Sequence, residues 1–151
     1  MGISLRPARS EDEDRLRSWR NDPVIRARSF SGDEVSAEEH HAWLARKLRD
    51  PDSLLFVIED LGSAVGQIRL DRVDQEAADV SIGLASEARG RGIGRAALVL
   101  AAGEAGRTLG VRRLRALVKE DNEASLRAFV AAGFEEAERT EGIVTLTRSV
   151  P

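Results

Sequence analysis

The sequence predicts an α+β fold: a mixed, mostly antiparallel central sheet of 6–7 strands flanked by four helices. Three observations carry this. Short runs with period-two alternation stand in hairpin order near both ends of the chain. Capped helical segments lie between them. Only one strand–helix–strand unit, over about residues 79–118, calls for parallel pairing.

The elements follow in order. ISLRPA (3–8) reads as a short strand. Ser10 with Glu13 forms a capping-box pattern that opens a helix to about Arg20, and Ser36 with Glu39 opens a second to about Arg49, before Pro51. LLFVIED (54–60) is a buried strand, and D-L-G-S (60–63) turns it into AVGQIRLDRV (64–73). There Ile68 and Leu70 share one face, while Gln67, Arg69 and Asp71 share the other. DVSIGL (79–84) is the next strand. A helix runs from about Gly92 to Leu109 and stops at Gly110; LRALV (114–118) is a strand; Asn122 starts a helix that ends at Gly133. FEEAE and IVTLTRS close the chain as a hairpin around E-G. Residues 1–151 read as one domain.

Composition narrows the function classes. A net charge of −3 gives no electrostatic case for nucleic acid or an anionic membrane. With no cysteine, disulfides, thiolate catalysis and Cys-based zinc sites are excluded. The N-terminus turns acidic without an apolar signal core, and no apolar run approaches the roughly 18 residues of a membrane span. A cytoplasmic protein is the expectation.

Three glycines and three arginines crowd the stretch ARGRGIGR (88–95), between a strand and a helix. A helix N-terminus offers unpaired N–H groups and a positive dipole end. Glycines let an anion approach the backbone, and arginines add charge-assisted hydrogen bonds. The chemistry is that of a phosphate cradle. No G-K-[ST] follows, which excludes a Walker A loop. Gly92-x-Gly94-x-x-Ala97 fits a dinucleotide fingerprint, with Glu120 downstream as a ribose-binding acid. However, the glycines stand too far beyond Leu84, and only one βαβ unit exists.

The segment Arg89-Gly90-Arg91-Gly92-Ile93-Gly94 resembles the pyrophosphate loop, [Arg/Gln]-x-x-Gly-x-[Gly/Ala], of the GNAT superfamily of acyl-CoA-dependent N-acyltransferases. Asn122-x-x-Ser125 followed by Phe129-x-x-x-Gly133-Phe134 is similar to that family's second cofactor motif. Together they cover roughly residues 78 to 135. The resemblance implies a GNAT-like fold and acetyl-CoA as cofactor. The backbone N–H groups of residues 90–95, with the Arg89, Arg91 and Arg95 side chains, would hold the pyrophosphate. The strand carrying Ile82, Gly83 and Leu84 would splay from its parallel neighbour and bind the pantetheine arm, with a backbone N–H as oxyanion stabiliser. Asn122, Ser125 and Phe129 would flank that arm from the last helix.

The family often places a tyrosine, as general acid, where this chain has Phe129; this chain has no tyrosine. Ser125 or a water would substitute, or the thiolate would leave unassisted. For the base, Asp79 is preferred over Asp71.

The N-terminal third should build the acceptor side. Trp19-Arg20-Asn21-Asp22-Pro23, Ile25-Arg26-x-Arg28-Ser29-Phe30 and Ser36-x-Glu38-Glu39-His40-x-x-Trp43 resemble signatures of two GNAT branches. One acetylates amino-sugar nucleotides in nonulosonic acid biosynthesis; the other acetylates ribosomal-protein N-termini and small amines. Trp19, Arg20, Asn21, Arg26, Arg28 and His40 are the acceptor candidates, with core packing the competing role for Trp19 and Trp43. His40 and His41 point about 100° apart on a helix, a poor metal pair, and no metal site is expected. The expectation is direct acetyl transfer to a small-molecule primary amine, with a nucleotide-linked amino sugar as the named candidate. The alternatives are acetylation of a protein N-terminus and a non-catalytic acyl-CoA sensor. A homodimer is compatible with the chain.

Overall fold

The computed structural model describes residues 2–151. A single sheet of seven strands runs in the order β1-β2-β3-β4-β5-β7-β6, with β1 at Ile3–Pro7, β2 at Ser53–Asp60, β3 at Ser63–Arg72, β4 at Ala77–Leu84, β5 at Arg113–Lys119, β6 at Glu135–Thr140 and β7 at Ile143–Ser149. Every pairing is antiparallel except β4 with β5. Five helices cover the sheet: α1 (Glu13–Arg20), α2 (Pro23–Arg28), α3 (Ala37–Arg49), α4 (Ile93–Glu104) and α5 (Glu123–Ala131).

The unbroken apolar run of β2 is explained by burial on both faces. Phe56 and Ile58 join the large core with α4 and α5, whereas Leu55 and Val57 join a second core with Leu16 of α1 and Leu44 of α3. Trp19 is partly buried and packs against both cores. The inner face of α4 is largely alanine (Ala97, Ala101 and Ala102, each fully buried), which lets the helix lie close on the sheet. Its last turn widens into a π-helical segment over Ala105–Leu109 and stops at Gly110, at φ 66°.

The α+β fold expected from the sequence is the one observed, with local differences. A fifth helix, α2, occupies what reads as loop in the sequence: Asp22 caps it by accepting from the Val24 N–H (2.8 Å), and Pro23 supplies a preset φ in its first turn. The box expected from Ser10 and Glu13 is not formed. A 3₁₀ turn over Ser10–Asp12 precedes α1, and the buried Asp12 carboxylate accepts instead from the Arg9 N–H (2.8 Å) and from Arg6 (2.9 Å). A guanidinium and a backbone N–H inside the fold outcompete one exposed hydroxyl. The Ser36 cap forms as read, accepting from the Glu39 N–H at 3.1 Å. The alternation of β3 is broken by a register shift against β2 between Ile58 and Glu59. There Gly66 lies so close to β4 that a Cβ would stand 2.5 Å from the Gly83 carbonyl oxygen.

Candidate active site

Strands β4 and β5 pair only over Ala77–Asp79 and Arg113–Arg115, and then part. Beyond that point β5 keeps its other partner, β7, and β4 keeps β3. The Ala85 N–H donates to the Val65 carbonyl at 2.8 Å. By the alternation of an antiparallel ladder, Gly83 and Ser81 then bond to β3, and the N–H and C=O groups of Ile82 and Leu84 face the gap. A cleft of about 570 Å³ opens there, bounded by the end of β4, the glycine loop and α5.

The loop fits a diphosphate. Gly90 (φ 74°) and Gly92 (φ 79°) are left-handed, and a Cβ on Gly90 would meet nothing within 4 Å. Gly92 is the N-cap of α4 with no side-chain cap, so the N–H groups of the first turn point free of side-chain partners. Gly94 faces α5, where a Cβ would stand 3.6 Å from that of Ala128. Arg89 and Arg95 line the cleft. Arg91 does not; it donates to Asp60 at 3.0 Å.

Asn122 caps α5 by accepting from the Ser125 N–H (3.2 Å), and its amide donates to the Ser125 hydroxyl oxygen (3.0 Å). Cap and orienting residue are thus one side chain, and the Ser125 hydroxyl stands at the cleft with its own proton uncommitted. Phe129 also borders the cleft, buried edge-on against Phe134 with centroids 4.9 Å apart.

Helix α2 is what joins the two sides. Ile25 lies over β4, its Cδ1 at 3.3 Å from where a Gly83 Cβ would be. The Ala27 carbonyl accepts from Lys119 of β5 at 3.1 Å, and Asp22 contacts Arg89 of the loop at 3.3 Å. Burial pushes the Asp22 carboxyl upward, but the Val24 N–H and Arg89 outweigh it and hold the carboxyl below its ordinary range. Arg20 and Arg28 reach the same cleft.

A second chamber of about 600 Å³ adjoins the first; Arg20, Gln67 and Arg69 line both. Its wall includes His40, Trp43 and Arg46 of α3. His40 is buried, its ring 5.3 Å from that of Trp43, and its Nδ1 has no partner among the described residues. Burial, reinforced by Arg17 and Arg20 against the pull of Glu13, lowers its pKa and keeps the imidazole neutral.

Besides Arg91, four expected residues are not brought to either chamber. Asp79 sits where β4 and β5 are still paired, held bidentately by Arg115 at 2.7 and 2.8 Å. Asn21 clamps Val35 through both its amide groups (2.7 and 2.9 Å). Arg26 donates to the Gly32 carbonyl and pairs with Glu34. Trp19 packs between the cores. Asp71, the other base candidate, is tied to Lys47, Ser53 and Arg69; burial raises its pKa, and these partners outweigh that to leave it lowered. Conversely, Gln67, Arg69 and Arg127 line the cleft without belonging to any motif. The polar alternation of β3 was the only sign of the first two.

The profile of the acetyltransferase (GNAT) domain matches residues 3–135. The chain belongs to the GNAT acetyltransferase family. It is an acyltransferase, and its acyl donor is acetyl-CoA. The fold is similar to that of spermidine N-acetyltransferase from Vibrio cholerae, solved with CoA and spermine, at a TM-score of 0.86 and 18% identity over 98% of this chain and 95% of that one. It is also similar to an aminoglycoside acetyltransferase solved with coenzyme A (TM-score 0.85, 15% identity, 98% and 95% covered). A domain from Methanocaldococcus jannaschii gives a TM-score of 0.83 at 20% identity, with 97% of each chain covered. At these identities the likeness is one of fold. No curated protein matches by sequence. Among the described residues of this GNAT chain, no helix is long and apolar enough to cross a membrane.

Proposed function

We propose that this GNAT domain acetylates the primary amine of a small molecule carrying an anionic group, a nucleotide-linked amino sugar being the best-fitting candidate. One observation carries the acceptor class. Among the described residues, six arginines line the main cleft (Arg20, Arg28, Arg69, Arg89, Arg95 and Arg127) and no carboxylate does. Arg89 and Arg95 stand at the glycine loop and serve the cofactor diphosphate. Arg20, Arg28 and Arg69 stand toward the N-terminal helices, where an acceptor would enter. Guanidinium forks suit phosphate and repel a polycation.

Acetyl-CoA supplies the thioester-activated acetyl group. The N–H groups of the glycine loop and the first turn of α4 would hold its diphosphate, and the gap-facing backbone of Ile82 and Leu84 would hold the arm. A backbone N–H in that gap would also stabilise the oxyanion as the amine nitrogen bonds to the carbonyl carbon and the carbon–sulfur bond breaks. Like charge disfavours an ammonium among these guanidinium groups, so the acceptor loses its proton to solvent more readily than in water. A cationic wall thereby does part of a general base's work. At the departing thiolate, Ser125 offers a hydroxyl and Phe129 offers none.

The decisive measurement is kcat/KM for a UDP-linked amino sugar against spermidine, with thiol release as readout. A clear preference for the sugar nucleotide is expected. Equal values, or a preference for spermidine, would remove the anionic-acceptor reading and leave a general amine acetyltransferase.

A further inference from the structure

We infer that the second chamber is a phosphate-binding site for the far end of the acceptor, with Arg46 and Arg69 as its grip and His40 and Gln67 as neutral hydrogen-bonding groups beside them. This rests on the acceptor class proposed above.

Three guanidinium groups from three different elements converge on the chamber: Arg20 from α1, Arg46 from α3 and Arg69 from β3. Among the described residues the one carboxylate in its wall is Glu39, so the lining carries a net positive charge. Arg69 is held in place. Its Nε donates to Asp71 at 2.7 Å and its guanidinium stacks over Trp43, 5.3 Å from the ring centroid. That leaves its terminal nitrogens as donors. Arg46 is exposed and forms no ion pair among the described residues. Arg20 spends one nitrogen on the Asp33 carbonyl, at 3.3 Å.

The neutral groups say more about the ligand. His40 is only 3% exposed, yet its Nδ1 is unpartnered, and so is the buried Oε1 of Gln67. Unpartnered buried polar atoms cost stability unless something meets them. A phosphate accepts from guanidinium N–H groups and, once the His40 ring turns its closed-off Nδ1 toward the chamber, from an imidazole N–H; Gln67 Oε1, closed off in the same way, asks in addition for a donor such as a sugar hydroxyl. A phosphorylated sugar satisfies both demands; a polyamine or a bare carboxylate does not. Arg20, Gln67 and Arg69 also line the main cleft, so one molecule can place its amine at the β4 gap and its phosphate against α3.

The test uses UDP as probe on protein saturated with CoA, which blocks the glycine loop, with binding read by calorimetry. UDP should bind the wild type. Arg46→Ala should weaken it at least tenfold while acetyl-CoA affinity stays within twofold. Arg49→Ala, the same charge change on an exposed residue of α3 outside the chamber, should leave UDP binding alone. Absence of UDP binding, equal binding in Arg46→Ala, or equal losses in both variants would overturn the site. The two readings separate cleanly. Turnover on an uncharged amino sugar with no UDP binding removes the chamber and keeps the acetyltransferase. Arg46-dependent UDP binding without turnover on any nucleotide-linked amine keeps the chamber and removes the acceptor assignment.

Discussion

Asp22 and Arg89 meet at 3.3 Å and tie the N-cap of α2 to the glycine loop. The contact is at ion-pairing distance but poorly aligned, and the buried Arg89 Nη2 still lacks a hydrogen-bond partner. An arriving diphosphate would compete with Asp22 for that nitrogen, so cofactor binding and the placement of α2 are coupled. Asp22→Asn retains a capping side chain and removes the competing charge. Acetyl-CoA should then bind more tightly, by about fivefold for an ion pair worth about 1 kcal/mol, while acceptor KM rises. An unchanged or weaker acetyl-CoA Kd in calorimetry would uncouple the two.

The glycine loop gives a second expectation. Acetyl-CoA at 100 times Kd should stabilise the fold by about 2.7 kcal/mol. Gly92→Val adds side-chain bulk at the cradle and strain at φ 79°; Gly110→Val adds comparable strain at φ 66° with no atom within 4 Å and no ligand nearby. Both variants should melt earlier than the wild type. Only Gly92→Val should lose the acetyl-CoA-induced rise in Tm. A full rise in that variant would reject the cradle.

Phe129→Tyr restores a hydroxyl at the thiolate side of the cleft. If leaving-group protonation limits turnover, kcat should rise by ~10²-fold or less, the low end of general-acid effects, with cofactor KM nearly unchanged. Because Phe129 is buried edge-on to Phe134, a folded variant with reduced kcat would show that the wall is shaped to the phenylalanine.

Asp79 is committed to Arg115, both partly exposed, at the closed end of the strand gap. Asp79→Asn should cost about 1 kcal/mol or less of stability and leave kcat/KM within threefold. A loss of kcat/KM beyond tenfold, at unchanged fold, would return Asp79 to the chemistry.

His40 ties stability to pH. Its folded pKa lies below the unfolded value near ~6.5. Well above 6.5 neither state is protonated there, and the contribution is complete. As pH falls from 6.5 toward the folded pKa, the unfolded chain takes up the proton and the native state does not, so stability is lost, by at most about 1.4 kcal/mol per pH unit. Between pH 7.5 and 5, the Tm of the wild type should fall more steeply than that of His40→Gln. Parallel curves would place His40 in contact with solvent.

The sequence by itself determined what depends on local chemistry. The left-handed glycines before α4, the Asn122 cap with its Ser125 partner and the Ser36 cap are contacts within a few residues, and residue type plus spacing names them. Two-sided burial of β2 is legible for the same reason, because an apolar run of that length has no polar face to offer water. Helix α2 carried a readable sign too, Asp22 before Pro23, but six residues are too few for a periodicity. Only the tertiary structure decided which charges meet. Asp79 and Arg115 are 36 residues apart, Asp22 and Arg89 lie on different elements, and the convergence of Arg20, Arg46 and Arg69 needs α1, α3 and β3 in place. A guanidinium takes any carboxylate or carbonyl within reach. Its partner is therefore fixed by packing across the sheet, and no spacing along the chain encodes it.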